Sequence, residues 1–170
     1  MRWLILRAAV PALAQGQPAG ETFEPLDFLI GNWVGEGGAS SKDGPGQGRG
    51  EFSFEYDLQR KVLIRRNYSE YPAQADRPAS RHDDLMIVYA GEEKKLRAVY
   101  FDSEDHVIHY AVEASDGAIR FLSDPVADQP RYRLTYRKTG AATAFLEFEI
   151  APPGKPDAFQ SYITAKVRRK

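Results

Sequence analysis

Along most of this chain, apolar and polar residues alternate one by one. Over 51–58, Phe52, Phe54, Tyr56 and Leu58 share one face, while Glu51, Ser53, Glu55 and Asp57 share the other. A period of two is that of a strand with one buried face. The same alternation runs through 61–71, where Val62, Ile64, Arg66 and Tyr68 oppose Leu63, Arg65, Asn67 and Ser69. Further strands are predicted over 95–101, 106–114, 119–123, 132–138, 144–150 and 159–168. The run 85–90 is apolar on both faces and predicts a strand covered on both. Most links are short: Gln59-Arg60, Gly91-Glu92-Glu93, 102–105, and the hairpin dipeptide Asp116-Gly117. Two longer loops, 38–50 and 72–81, are rich in Gly, Pro and Ala and lack periodicity.

Together with a strand starting at Gly31, the count is about ten, with no helical pattern between them. Hairpin-length links make sequential neighbours antiparallel. An all-β sheet of that size with one apolar face closes well into a single up-and-down antiparallel β-barrel, which removes its edges. A β-sandwich is the structural alternative. Only 22–30 has near-helical spacing, at Phe23, Leu26, Leu29 and Ile30, with Pro25 tolerable in a first turn. It predicts a short N-terminal helix or 3₁₀ turn leading into the first strand.

Composition adds little to the fold but narrows the function. With 170 residues the chain suits one domain, and 42% hydrophobic with 28% charged residues is ordinary for a globular protein. Lys and Arg number 23 against 24 acidic residues, so the formal net charge is −1. That balance argues against a nucleic-acid footprint, which needs a basic excess. There are no cysteines, hence no disulfide, thiolate metal site or Cys nucleophile. At the N-terminus, Met1-Arg2, the apolar run 3–10 and Ala12-Leu13-Ala14 read as a signal peptide over 1–14. Residues 15–21 are then a flexible start, 22–169 the barrel domain, and the protein is expected to be exported, periplasmic or secreted. No segment after it is long enough for a membrane-spanning helix.

Gly31-Asn32-Trp33-Val34-Gly35-Glu36-Gly37 sets a large aromatic between glycines on the first strand. This Gly-x-Trp opening resembles that of the calycin barrels, the lipocalins and their relatives. The resemblance implies that an Arg of the last strand packs on Trp33 to close the barrel, and Arg168 is the residue expected to do so. The longer Gly-x-Trp-x-Gly-x-Gly form resembles the nitrobindin-like haem-binding barrels, which are ten-stranded, and the tail Ala165-Lys166-Val167-Arg168-Arg169 resembles their end. A bacterial barrel family of unassigned function is similar in its Leu-x-Gly-x-Trp opening and at Leu85-Met86-Ile87-Val88-Tyr89 and Val99-Tyr100-Phe101-Asp102-Ser103. The nitrobindin-like proteins ligate haem through a last-strand His; here that position is Tyr162. Tyr is also a known haem ligand. Alternation, however, sets Tyr162 with Thr164 and Lys166, opposite the apolar Ile163, Ala165 and Val167.

Taking the more apolar face of each strand as interior brings Arg66, Tyr68, Tyr100, His106, Tyr110, Tyr132 and Tyr136 into the lumen, with Tyr56. A buried guanidinium needs a carboxylate or an anionic ligand. Asp102 or Glu113 could supply the carboxylate; alternatively the faces are swapped and Arg65 is the inward residue. These seven residues are the expected binding site for a small amphipathic molecule, whose acidic head would meet Arg66. The alternative is a haem protein with Tyr162 or His106 on the iron. A further alternative is an acid–base enzyme of the isomerase or hydrolase kind, working through His106 beside Tyr100. No catalytic residue is assigned, because G-x-S-x-G, H-E-x-x-H and C-x-x-C are all missing. Neither a metal site nor a cofactor is expected, haem under the alternative excepted. His82-Asp83-Asp84 reads as the solvated end of a loop, and oligomeric state is not legible.

Overall fold

The computed structural model describes residues 23–40 and 47–170, the side chains of 37–40 excepted. The stretches read as signal peptide (1–14) and flexible start (15–21) lie outside the described residues. Ten strands follow one another: β1 (Gly31–Ser40), β2 (Arg49–Asp57), β3 (Val62–Tyr71), β4 (Ser80–Ala90), β5 (Leu96–Asp102), β6 (Val107–Ser115), β7 (Ala118–Ser123), β8 (Arg131–Lys138), β9 (Thr143–Ala151) and β10 (Gln160–Arg169). Each pairs antiparallel with its neighbours in sequence, and β1 pairs with β10, so the sheet is a closed up-and-down barrel. Helix is minimal. The N-terminal segment is a 3₁₀ turn over Glu24–Leu29 with Pro25 in its first turn, and Glu92–Lys94 adds a second short one.

The strands lie where the alternation puts them, with one consequential difference. β4 begins at Ser80 rather than near 85. Its first half pairs with the end of β3, Tyr71 facing Ser80 and Asn67 facing Asp84. Ser80, His82 and Asp84 therefore continue the inward row of Met86 and Val88.

The 3₁₀ turn plugs one end of the barrel. Phe23, Leu26 and Leu29 are fully buried against Trp33, Phe54, Leu63 and Ile119. Gly31 carries φ +112°, a conformation that favours glycine, where the plug swings into β1. Trp33 stacks on Phe52 at 5.9 Å and its indole N–H donates to the Leu29 carbonyl at 2.7 Å. The arginine on its ring is Arg169, not Arg168. The alternation that turns Ala165 and Val167 inward carries Arg169 in with them, opposite Trp33. Its guanidinium lies 5.1 Å from the Trp33 ring and donates to the Phe28 carbonyl at 2.7 Å. Arg168 points outward and pairs with Glu36 at 2.6 Å.

Candidate functional site

Above the plug the barrel interior is not filled. A cavity of about 380 Å³ occupies the half between the aromatic floor and the far rim. Its floor is set by a buried ion pair. Arg65 of β3 is only 4% exposed, and its partner on β4 is Asp84, whose side chain is equally buried. Arg65 Nε–H donates to the Tyr136 hydroxyl at 2.8 Å, and Asn67 donates to the second Asp84 oxygen at 2.7 Å. Burial works against the charge on Arg65, but Asp84 and Tyr136 outweigh it and hold the guanidinium above its ordinary pKa. Burial pushes Tyr136 up to about 12. The pair is thus internally satisfied, with Arg65 held by Asp84 and Tyr136.

Arg65, not Arg66, is the inward residue. Register decides this: Phe54 of β2 faces Arg65 and Phe52 faces Asn67, and both phenylalanines point into the core. Arg66 and Tyr68 share the opposite face of β3. Arg66 is exposed, and Tyr68 lies on the outside under the Arg81 guanidinium at 4.4 Å. Neither lines the cavity. The acidic head group expected to meet Arg66 therefore has no anchor there.

One wall of the cavity is polar. His82 of β4 sets Nδ1 3.1 Å from Glu104 and Nε2 2.9 Å from the Tyr100 hydroxyl. A carboxylate only accepts, so Nδ1 carries the proton toward Glu104 and Nε2 accepts from Tyr100. Beside them Asp102, at the end of β5, receives the Glu104 N–H at 2.9 Å and the His106 N–H at 3.0 Å. The His106 ring donates from Nδ1 to the second Asp102 oxygen at 2.8 Å. Burial raises the Asp102 pKa, but the backbone and ring N–H groups of His106 outweigh it and keep the carboxyl below its ordinary range. Burial, with the Asp84 and Asp102 carboxylates, raises the Tyr100 pKa.

His106 is therefore a rim residue with a half-exposed ring, bound to Asp102 rather than to Tyr100. The histidine beside Tyr100 is His82. Sequence reasoning placed it at a loop end because the first half of β4 has no apolar contrast. The signal that could have found it is the row Ser80, His82, Asp84, Met86 and Val88 at a spacing of two.

The facing wall is apolar and aromatic. Tyr132 of β8 stacks on Phe148 of β9 at 6.0 Å, and Tyr162 of β10 meets Phe148 edge-on at 6.1 Å. Leu134, Leu146, Ala165 and Val167 fill the surface between. Tyr162 is not solvent-facing, as strict alternation would have it. The pairing of β10 with β9 slips between Ser161 and Ile163, and the extra residue is Tyr162, turned to the cavity by the bulge. Tyr110 of β6 closes the space at 6.3 Å from Tyr100. It is 2% exposed, and among the described residues its hydroxyl meets no protein partner. Burial raises its pKa, and that of Tyr132 as well.

Of the residues singled out from sequence, the barrel thus brings Tyr100, His106, Tyr110 and Tyr132 to one cavity, sets Tyr136 in the floor beneath it, and leaves Arg66 and Tyr68 outside.

A closed ten-stranded antiparallel barrel with a plugged end and a lined cavity is consistent with a calycin-like barrel. A scan against protein-family models finds no match, and a search of curated proteins finds none that matches. Nothing beyond the architecture itself therefore bears on the nitrobindin-like features of the two chain ends. Among the described residues, no group of three or more His, Asp and Glu side chains has the arrangement of a metal site, and no helix is long and apolar enough to cross a membrane.

Proposed function

We propose that this protein binds a small amphipathic molecule inside the barrel, its apolar part on the β8–β10 wall and its polar end toward Tyr100, Tyr110 and His106. One observation carries the reading: a cavity of about 380 Å³ with one apolar and one polar wall. That size lies within the range of small-molecule sites. A barrel serving only as a scaffold would fill this space with side chains, as its other half does. The solvatochromic, uncharged probe N-phenyl-1-naphthylamine tests it. Fluorescence enhancement is expected with the native protein and is lost in Ala165→Trp, which fills the cavity from its apolar wall. Equal enhancement in both proteins would refute the reading.

A second reading, haem binding, is favoured by one feature. Asp102 holds His106 through Nδ1, which leaves Nε2 as the free ring nitrogen; metal-binding histidines are oriented this way. Tyr162 lies on the cavity as well and is the other candidate ligand. Haem, if bound, would supply redox or gas-binding chemistry, while Asp102 would fix the tautomer of His106. Titration with haem checks this. The reading requires a Soret band displaced from that of free haem and altered in His106→Ala.

A further inference from the structure

The charge and aromatic content of the cavity define the polar end of its occupant. Three carboxylates line the space, those of Asp84, Asp102 and Glu104, against one interior guanidinium, Arg65. Arg65 is already committed to Asp84 and Tyr136. The two arginines at the rim are held as well: Arg49 pairs with Glu70 at 2.6 Å, and Arg81 with Glu70 at 2.8 Å and Asp83 at 2.7 Å. Among the described residues, then, every cavity arginine already has a carboxylate, and none is left to anchor a carboxylate or phosphate head.

The second observation is independent of charge. The Tyr110 side chain is almost fully buried, yet its hydroxyl opens on the cavity with no protein partner among the described residues. A hydroxyl that opens on a cavity in this way is free to bond a ligand or water. Tyr100 meets Tyr110 edge-on at 6.3 Å, and across the same cavity Tyr132, Phe148 and Tyr162 form a second group linked at 6.0–6.1 Å. Aromatic faces present negative potential, and several rings round one space form the cage that recognises ammonium groups. Carboxylates behind the rings strengthen that potential in a partly dry interior.

We infer that the ligand is an organic cation, an amine or quaternary ammonium carrying an apolar tail. The inference rests on the proposed cavity binding. The ammonium sits among Tyr100, Tyr110 and Tyr132, held by ring faces and by the field of Asp102 and Glu104. Its tail lies on Leu146, Phe148 and Ala165. If the ligand carries an N–H or hydroxyl donor, His106 Nε2 is the free acceptor at the rim.

Three probes of equal tail length separate the possibilities by titration calorimetry: octyltrimethylammonium, octan-1-ol and octanoate, each well below micelle formation. The ammonium is expected to bind about tenfold or more tightly than the alcohol, and octanoate weakest. Glu104→Gln is expected to narrow the ammonium–alcohol gap, read as the ratio of the two affinities in the same variant, since it removes one carboxylate charge from the polar wall. Tyr132→Leu is expected to lower the ratio of ammonium to alcohol affinity about fivefold, a ratio that a loss of packing common to both probes would not move. Octanoate binding as tightly as the ammonium, or alcohol and ammonium binding alike, overturns the inference and leaves the cavity reading standing. Binding by none of the three overturns the cavity reading and the inference with it.

Discussion

The two halves of the barrel are built from the same ten strands, yet they do opposite things with their inward residues. Toward the 3₁₀ turn the lumen is solid: Trp33, Phe52, Phe54, Phe121 and Tyr136 meet at ring separations of 5.3–6.3 Å. Their polar atoms find protein partners, the Trp33 indole on Leu29 and the Tyr136 hydroxyl on Arg65. Toward the far rim the lumen is open, and among the described residues the Tyr110 hydroxyl meets no protein partner. The Arg65–Asp84 pair sits on the boundary. The contrast teaches that an inward row does not by itself make a core: a level of the barrel is filled where its rings pack on one another and on the plug, and hollow where rings of similar size stand on facing walls.

The sharpest break of this comparison is at the boundary. Arg65→Met leaves Asp84 buried beside Asn67 without its countercharge, and a loss of about 3–5 kcal/mol is expected by urea denaturation. The double variant Arg65→Met, Asp84→Leu is expected to recover most of it, because the desolvated charge is then gone. If the double variant is as unstable as the single one, the pair is more than a satisfied boundary. Trp33→Ala removes the largest ring of the closed half, with a similar loss of about 3–5 kcal/mol.

The open half should respond differently to the same kind of truncation. Phe148→Ala removes a comparable ring from the cavity wall, where space already exists on one side, so little new void is made. About 1.5 kcal/mol is expected, mainly the transfer of the ring itself. Equal losses for Trp33→Ala and Phe148→Ala would mean that the cavity wall is as tightly packed as the plug, and the division into two halves would fail.

The fold was legible because its signal, a period of two repeated over most of the strands, is redundant; an error in one strand cannot hide a barrel. The site was legible only in part, for local reasons. On β3 the face with more apolar residues, Val62, Ile64, Arg66 and Tyr68, is the outer one, and Leu63, Arg65, Asn67 and Ser69 face inward, so the choice between Arg65 and Arg66 depends on register with Phe52 and Phe54 across the sheet. The first half of β4 is polar on both faces, which makes a cavity wall look like a loop and hides His82 and Asp84. Tyr162 defied alternation because a bulge adds one residue, and bulges leave no mark in a periodicity. Arg168 was favoured over Arg169 through a family likeness, although the inward row 163, 165, 167 already pointed to 169.

The smallest effect concerns the turn that joins the polar wall to the rim. Asp102 ties that turn together through two backbone N–H groups and the His106 ring, and its folded pKa lies below the ordinary value. Between the folded and unfolded pKa values the unfolded chain binds more protons, so stability falls as pH falls. The Asp102 contribution is therefore complete above the ordinary aspartate value of about 3.9 and is lost as pH drops through the lower, folded one. Asp102→Asn keeps an acceptor but not the charge, so about 1 kcal/mol is expected to go at pH 7. The gap between the two proteins should then close on acidification below about 4, in urea midpoints taken down to strongly acidic pH. A gap that stays constant with pH would place the role of Asp102 in shape rather than charge. In that case the carboxylate would count for less in the field that the open half presents to its ligand.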